Sequence, residues 1–166
     1  MKIIVHPNPV LRQKAQDIEV FDEELKKYAD KFTQTMLKYD GVGLAGPQVG
    51  LSKKIIAINI EKKDLEGLSL PMPMVLINSH IIQASFDTNE ANEACLSVPG
   101  KIAPVWRAEE IIVNAKDVSG KDIHLECGGW LARVLQHEID HLNGILFIDR
   151  VKDKSTIKEY DPKDTK

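Results

Sequence analysis

Gln136-His137-Glu138-Ile139-Asp140-His141 brings two imidazoles and a carboxylate together near the end of the chain. In a helix His137 and His141 lie one turn apart on one face, where both can ligate a single metal ion while Glu138 stands beside them to handle protons. That is the chemistry of a metal hydrolase. A chance H-E-x-x-H in a chain of this length is on the order of half a percent. The plainer alternative is an amphipathic helix carrying two partly exposed histidines. Trp130 to Leu135 runs into the motif without Gly or Pro, and Gly144 follows Asn143 where a C-terminal cap belongs. Trp130, Val134, His137 and His141 form one row and Leu131, Leu135, Glu138 and Leu142 the next, so the histidines border the apolar face. A buried imidazole needs a partner, and a metal would be one.

Two imidazoles leave room for a third protein ligand with a fourth position open for water. Cys95 and Cys127 are the only thiols, and without an export signal they are expected to stay unpaired. Taken alone, Cys95 in Asn92-Glu93-Ala94-Cys95-Leu96-Ser97-Val98-Pro99-Gly100 is more simply an inert core thiol. Gly41-Val42-Gly43-Leu44-Ala45-Gly46-Pro47-Gln48-Val49-Gly50 satisfies G-x-G-x-x-G, and Glu61 follows at about the distance of a ribose-binding acid. A dinucleotide site nevertheless requires a preceding strand and a following helix. Here a helix precedes, and Pro47 and Gly50 oppose one afterwards. A phosphate loop fails for want of a Lys-Ser/Thr pair. What remains is a tight backbone that a ligand can approach closely and that presents the Gln48 amide as a donor, or else a turn with a solvated glutamine.

The elements that must position these groups follow from local pattern. Residues 1–20 are punctuated by Pro7 and Pro9 and read as an arm packed along the surface. Asp22 is an N-cap for a helix over 22–39, whose Leu25, Tyr28, Ala29, Phe32, Met36 and Leu37 recur at helical spacing as a core stripe. Lys54–Ile60, Met74–Asn78 and Ile81–Ala84 read as strands, the last two separated by a turn at Ser79-His80. Residues 61–67 make a charged loop. Glu109–Ala115 and Asp122–Glu126 flank Asp117-Val118-Ser119-Gly120 as a hairpin. His6, His80 and His124 stand isolated. The expected fold is α+β, a mostly antiparallel sheet packed around the C-terminal HExxH helix, with an N-terminal helix. Residues 1–150 form one metal-hydrolase domain, and 151–166 a polar, loosely attached tail.

The 166 residues, 43% of them apolar, suit one core. A net charge of -3 without long runs of one sign points to neither specific DNA binding nor an anionic membrane. Met1–Pro7 is too short an apolar stretch for a signal peptide, so a cytoplasmic location is expected.

Three stretches together are more specific than any one. Gly41–Gln48, Glu93-Ala94-Cys95-Leu96-Ser97 and Gln136–His141 occur in the order and spacing of the three peptide deformylase motifs, GφGLAAxQ, EGCφS and QHEφDHφxG, where φ is apolar. The chain resembles that family across residues 5 to 150. The resemblance implies that Cys95, His137 and His141 bind one divalent metal, natively Fe2+ and replaceable by Zn2+, Ni2+ or Co2+. It implies Glu138 as the general base, and Gln48 with the Leu96 backbone N–H as oxyanion donors. An N-formylmethionyl nascent peptide, met near the ribosome, would pair with Val42, Gly43 and Ala94, and formate would be released. Val42, Glu93, Leu96, Trp130, Val134 and His137 are candidates for the methionine pocket, and a monomer is expected. Ala94 stands where the family usually has Gly, Gly46 where it has Ala, and Trp130 where it has a smaller residue, departures that bear on pocket shape. An HExxH zinc peptidase is the rival, but it predicts a His or Glu ligand downstream of His141, and none stands out.

Overall fold

The computed structural model describes residues 1–65 and 68–161. The N-terminal helix is α1, Glu23–Lys38, with the Asp22 side chain accepting from the Leu25 N–H at 2.9 Å as its N-cap. Its buried face, Ala29, Phe32 and Met36, packs in one cluster with Leu44, Ile55, Ala57 and Ile77. Strands β1 (Gly43–Ala45), β2 (Ile55–Ile58), β3 (Met74–Ala84), β6 (Glu110–Lys116) and β7 (Asp122–Gly128) form an antiparallel sheet in the order β1-β2-β3-β6-β7. Strands β4 (Thr88–Cys95), β5 (Val98–Ala108) and β8 (Lys158–Glu159) form a second, in the order β4-β5-β8.

Helix α2, Gly129–Leu142, carries the HExxH residues and is buried along almost its whole length. Leu131 and Leu135 join Ile56, Ile58, Leu76 and Val113 of the larger sheet in one cluster. Each such side chain withdrawn from water contributes about 1.5–3 kcal/mol, so the helix is fixed by packing rather than by propensity. Past its C-cap Asn143, Gly144 turns at φ 73°, and a Cβ there would lie 2.5 Å from the Arg12 carbonyl oxygen. A short α3, Phe147–Arg150, follows.

Several expectations are corrected. The turn at Ser79-His80 is a bulge within the single strand β3, where the register against β6 shifts between Ile77 and His80. Asn78 holds φ 55°, and its amide bonds both the N–H and the carbonyl of Ile18, at 2.8 and 2.9 Å. Residues 92–100, to which the local pattern assigned no element, lie on the β4–β5 hairpin, turning at Leu96-Ser97. Pro104 is tolerated in β5 because β8 pairs only with Lys101 and Ile102, leaving that edge free at residue 104. The arm does more than cover the surface: Leu11 is fully buried, the Ile4 N–H donates to the Gln48 carbonyl and the His6 N–H to that of Ser97, both at 2.8 Å. In the segment expected as a loose tail, Val151 is buried and Ile157 packs beside it, while Lys158 and Glu159 pair with β5; residues 162–166 lie outside the described residues, as do 66 and 67 of the charged loop.

Candidate metal centre and catalytic cleft

Cys95 ends β4 and faces the two histidines of α2, so that Cys95 Sγ and a ring nitrogen of each of His137 and His141 lie within 4.8 Å of one another. Sγ is 3.3 Å from His141 Nε2. One soft sulfur and two imidazole nitrogens are a fitting donor set for a borderline divalent cation, and three protein ligands are the number that would leave such a cation open to water or substrate. Electrostatics agree with that fit. Burial acts to lower the His137 pKa, yet the Cys95 sulfur and the Glu93 carboxylate outweigh it and hold it well above its ordinary value. Groups of negative character thus converge where a cation would sit. Burial, reinforced by the nearby His137 and Arg107 cations, pushes His141 well below its ordinary value, which favours the neutral form a ligand must have.

Glu93, 5% exposed, orients His137. Its Oε2 lies 2.9 Å from His137 Nδ1. Burial raises the carboxyl, but the bonds from Arg107 and His137 overcome it and bring the pKa down to about 2. An ionised carboxylate only accepts, so His137 Nδ1 carries the proton, and in the neutral ring the bare lone pair is on Nε2, toward the cluster. Arg107 Nε and Nη2 donate to Glu93 at 2.9 Å each, and Arg133 Nη1 donates at 2.8 Å. Arg107 Nη1 reaches Asp140 Oδ2 at 2.5 Å, and Arg150 bonds the same carboxylate at 3.0 and 2.6 Å. Arg133 also reaches the carbonyls of Val105 and Asn89, each at 3.0 Å. This network escaped the sequence reading. Its one visible signal was Arg133 set among apolar residues of a helix, one turn before His137.

Glu138 is buried, and its Oε2 has no hydrogen-bond partner among the described residues. Burial first, then the Glu93 charge, against the pull of His137 and Arg107, pushes its carboxyl up to about 7. Gln48 is fixed by the turn at Gly46–Val49: the Ala45 N–H donates to Oε1 at 2.7 Å, which assigns Nε2 to the other side, where it donates to Cys95 Sγ at 3.4 Å.

A cavity of about 610 Å³ opens over these groups. Of the residues expected at the substrate, Val42, Gly43, Glu93, Ala94, Trp130 and Val134 all line it, as does Leu96. The His141 ring lies behind the lining. The edges of β1 and β4 that no other strand covers border it, since each is the terminal strand of its sheet. Gly43 has a packing requirement of its own, because a Cβ there would fall 2.2 Å from Glu138 Oε1. Ala94 is absent from the non-glycine residues with positive φ, Asp40 and Asn78, so it adopts an ordinary backbone without strain. At position 46 a Cβ would lie 2.5 Å from the Lys53 carbonyl oxygen, which accounts for glycine in place of alanine in this chain.

An α+β fold whose central helix sets two histidines against a strand-end cysteine, beside a buried carboxylate, defines a metal-dependent hydrolase. The polypeptide deformylase family model matches residues 1–156. Among similar proteins are peptide deformylase 2 of Gloeobacter violaceus, 46% identical over 87% of this chain and 75% of its own length, and the peptide deformylase of Thermomicrobium roseum, 42% identical over 94% and 88%. The crystal structure of a Thermotoga maritima peptide deformylase superposes with a TM-score of 0.84 at 39% identity, covering 92% of this chain and 97% of that one. A Synechococcus elongatus peptide deformylase in complex with actinonin gives 0.85 at 40% identity, covering 93% and 80%. The chain belongs to the peptide deformylase family and is a hydrolase that removes N-formyl groups.

Proposed function

We propose that residues 1–150 form a single catalytic domain that deformylates N-formylmethionyl nascent peptides near the ribosome, in the cytoplasm and as a monomer. The observation that carries this reading is the convergence of Cys95, His137 and His141 beside Glu138, with Gln48 directed at the same point. The three ligands would hold Fe2+, replaceable by Zn2+, Ni2+ or Co2+, and such a cation supplies Lewis acidity and hydroxide at neutral pH. Glu138, matched to neutrality by its burial, takes the proton of the attacking water and returns it to the departing amine. Gln48 Nε2, held in place through Oε1, and the Leu96 N–H are the donors for the oxyanion that develops on the formyl oxygen as its carbon is attacked.

The free edges at Val42-Gly43 and Ala94 accept the peptide backbone by strand addition, which requires little of the downstream sequence. Glu93, Trp130 and Val134, with Val42, wall the methionine side chain. Among the described residues no helix is long and apolar enough to cross a membrane. The test is an anaerobic assay of formate release from formyl-Met-Ala-Ser, with metal content measured on the same sample. Metal-replete protein that releases no formate would overturn the assignment.

A further inference from the structure

One residue lining the cleft comes from beyond the HExxH helix. Tyr160 lines the cavity together with Leu96 and Pro99 of the β4–β5 turn, although it stands 60 positions beyond Gly100, the residue whose carbonyl accepts from its N–H at 3.1 Å. Its placement is built in. Lys158 and Glu159 pair with Ile102 and Lys101 of β5. Just before them Ile157 packs on the cluster of Cys95, Val98, Phe147 and Val151. Asp153 caps the intervening turn by accepting from the Ser155 N–H at 2.9 Å. At Gly100, φ is +72°, and a Cβ would lie 3.5 Å from the Tyr160 carbonyl oxygen, so the strand runs close over the turn that carries Leu96.

Trp130 and Val134 reach the cavity from turns of α2 that precede the HExxH residues, whereas Tyr160 reaches it from the edge of the second sheet. A peptide with its methionine against the first pair must leave past other walls, and it leaves extended, at about 3.3 Å per residue. We propose that Tyr160, delivered by the C-terminal strand, is a specificity-determining residue that favours bulky apolar side chains downstream of the substrate methionine. This rests on the deformylase reading above. Tyr160 is an aromatic residue in a lining that also holds Leu96 and Pro99, and one aromatic contact with a substrate side chain shifts selectivity about three- to tenfold. Because the contact exists equally before and during reaction, it acts on KM rather than kcat.

The test compares kcat/KM for the better of formyl-Met-Phe-Ala and formyl-Met-Ala-Phe with that for formyl-Met-Ala-Ala. In Tyr160→Ala the ratio falls about three- to tenfold through KM, and in Tyr160→Phe it stays within about twofold of the unaltered enzyme. A chain ending at Glu159 shows the same fall as Tyr160→Ala, which separates loss of the ring from any misfolding peculiar to one substitution. An unchanged ratio in both shortened variants overturns the proposal while leaving the activity standing; absence of formate release by the unaltered enzyme overturns both.

Discussion

Replacing Glu93 by glutamine tests whether the buried charge network both supports the fold and aligns His137. The carboxylate accepts three guanidinium bonds of 2.8–2.9 Å and faces His137 Nδ1 at 2.9 Å. Its pKa falls from 4.5 to about 2, a difference worth about 3 kcal/mol. That agrees with the roughly 3–5 kcal/mol lost when one member of a buried ion pair is removed. Glutamine keeps the volume but turns an NH2 toward other donors, taking from Arg133 the carboxylate it pairs with and leaving Arg107 with Asp140 alone. We expect Glu93→Gln to lose about 3 kcal/mol at pH 7 in urea unfolding of chelator-treated protein. Metal affinity, measured by competition with a chelator, should fall about 10- to 100-fold as His137 loses its orienting partner. The sign of the pH dependence follows from the lowered pKa: the stabilisation is present above about 4.5 and is lost as pH falls toward about 2. The gap between wild type and variant therefore narrows below pH 4.5. A variant within about 1 kcal/mol of wild type at pH 7 that also holds its metal normally would refute the role given to the network.

Three further outcomes are expected. Glu138→Ala keeps its metal but loses about 10²- to 10⁴-fold in kcat, checked by formate release with elemental analysis; unchanged turnover would remove it as the general base. Cys95→Ser loses metal affinity by more than about 100-fold, beyond what an outer partner costs, and full metal content after dialysis would show that Cys95 is not a ligand. Asp149 is partly buried, which acts upward, but the Arg12 guanidinium and the Leu146 N–H outweigh this and hold its carboxyl below the usual range. Asp149→Asn should cost no more than about 1 kcal/mol at pH 7, because the pair with Arg12 is more than a third exposed; that cost should vanish in unfolding curves as pH falls through about 4 and below, where the wild-type carboxyl takes up its proton.

What was legible in the sequence is what local chemistry fixes. The Asp22 cap and the apolar spacing after it located α1 to within a residue at each end. The hairpin across Asp117–Gly120 was readable from its turn residues. The β4–β5 hairpin was not, because Thr88-Asn89-Glu90-Ala91-Asn92-Glu93 alternates no apolar face and Pro99 and Pro104 interrupt its partner. Those strands are held by pairing and by Arg107 and Arg133, contacts between residues 14 and 40 apart from Glu93. The C-terminal strand was missed for the same reason: Lys158 and Glu159 are charged and exposed, and only the edge of β5 makes them a strand.

The three motifs look independent in the sequence, yet in the fold they act as one constraint. Gly43 is glycine because the Glu138 side chain fills the space of its Cβ, so the loop can close on the helix only if position 43 has none. Within the same loop the turn at Gly46–Val49 sets Gln48 Oε1 against the Ala45 N–H and so turns Gln48 Nε2 toward Cys95. The arm then ties the two loops together, bonding the Gln48 carbonyl through Ile4 and the Ser97 carbonyl through His6. The same contact that excludes a side chain at Gly43 also helps bury Glu138, and burial is the first cause of the raised pKa that suits it to proton transfer near neutrality. The glycine of the first motif thus tunes the carboxylate of the third through packing alone, and the spacing between the motifs records how loop, hairpin and helix must meet for that packing to exist.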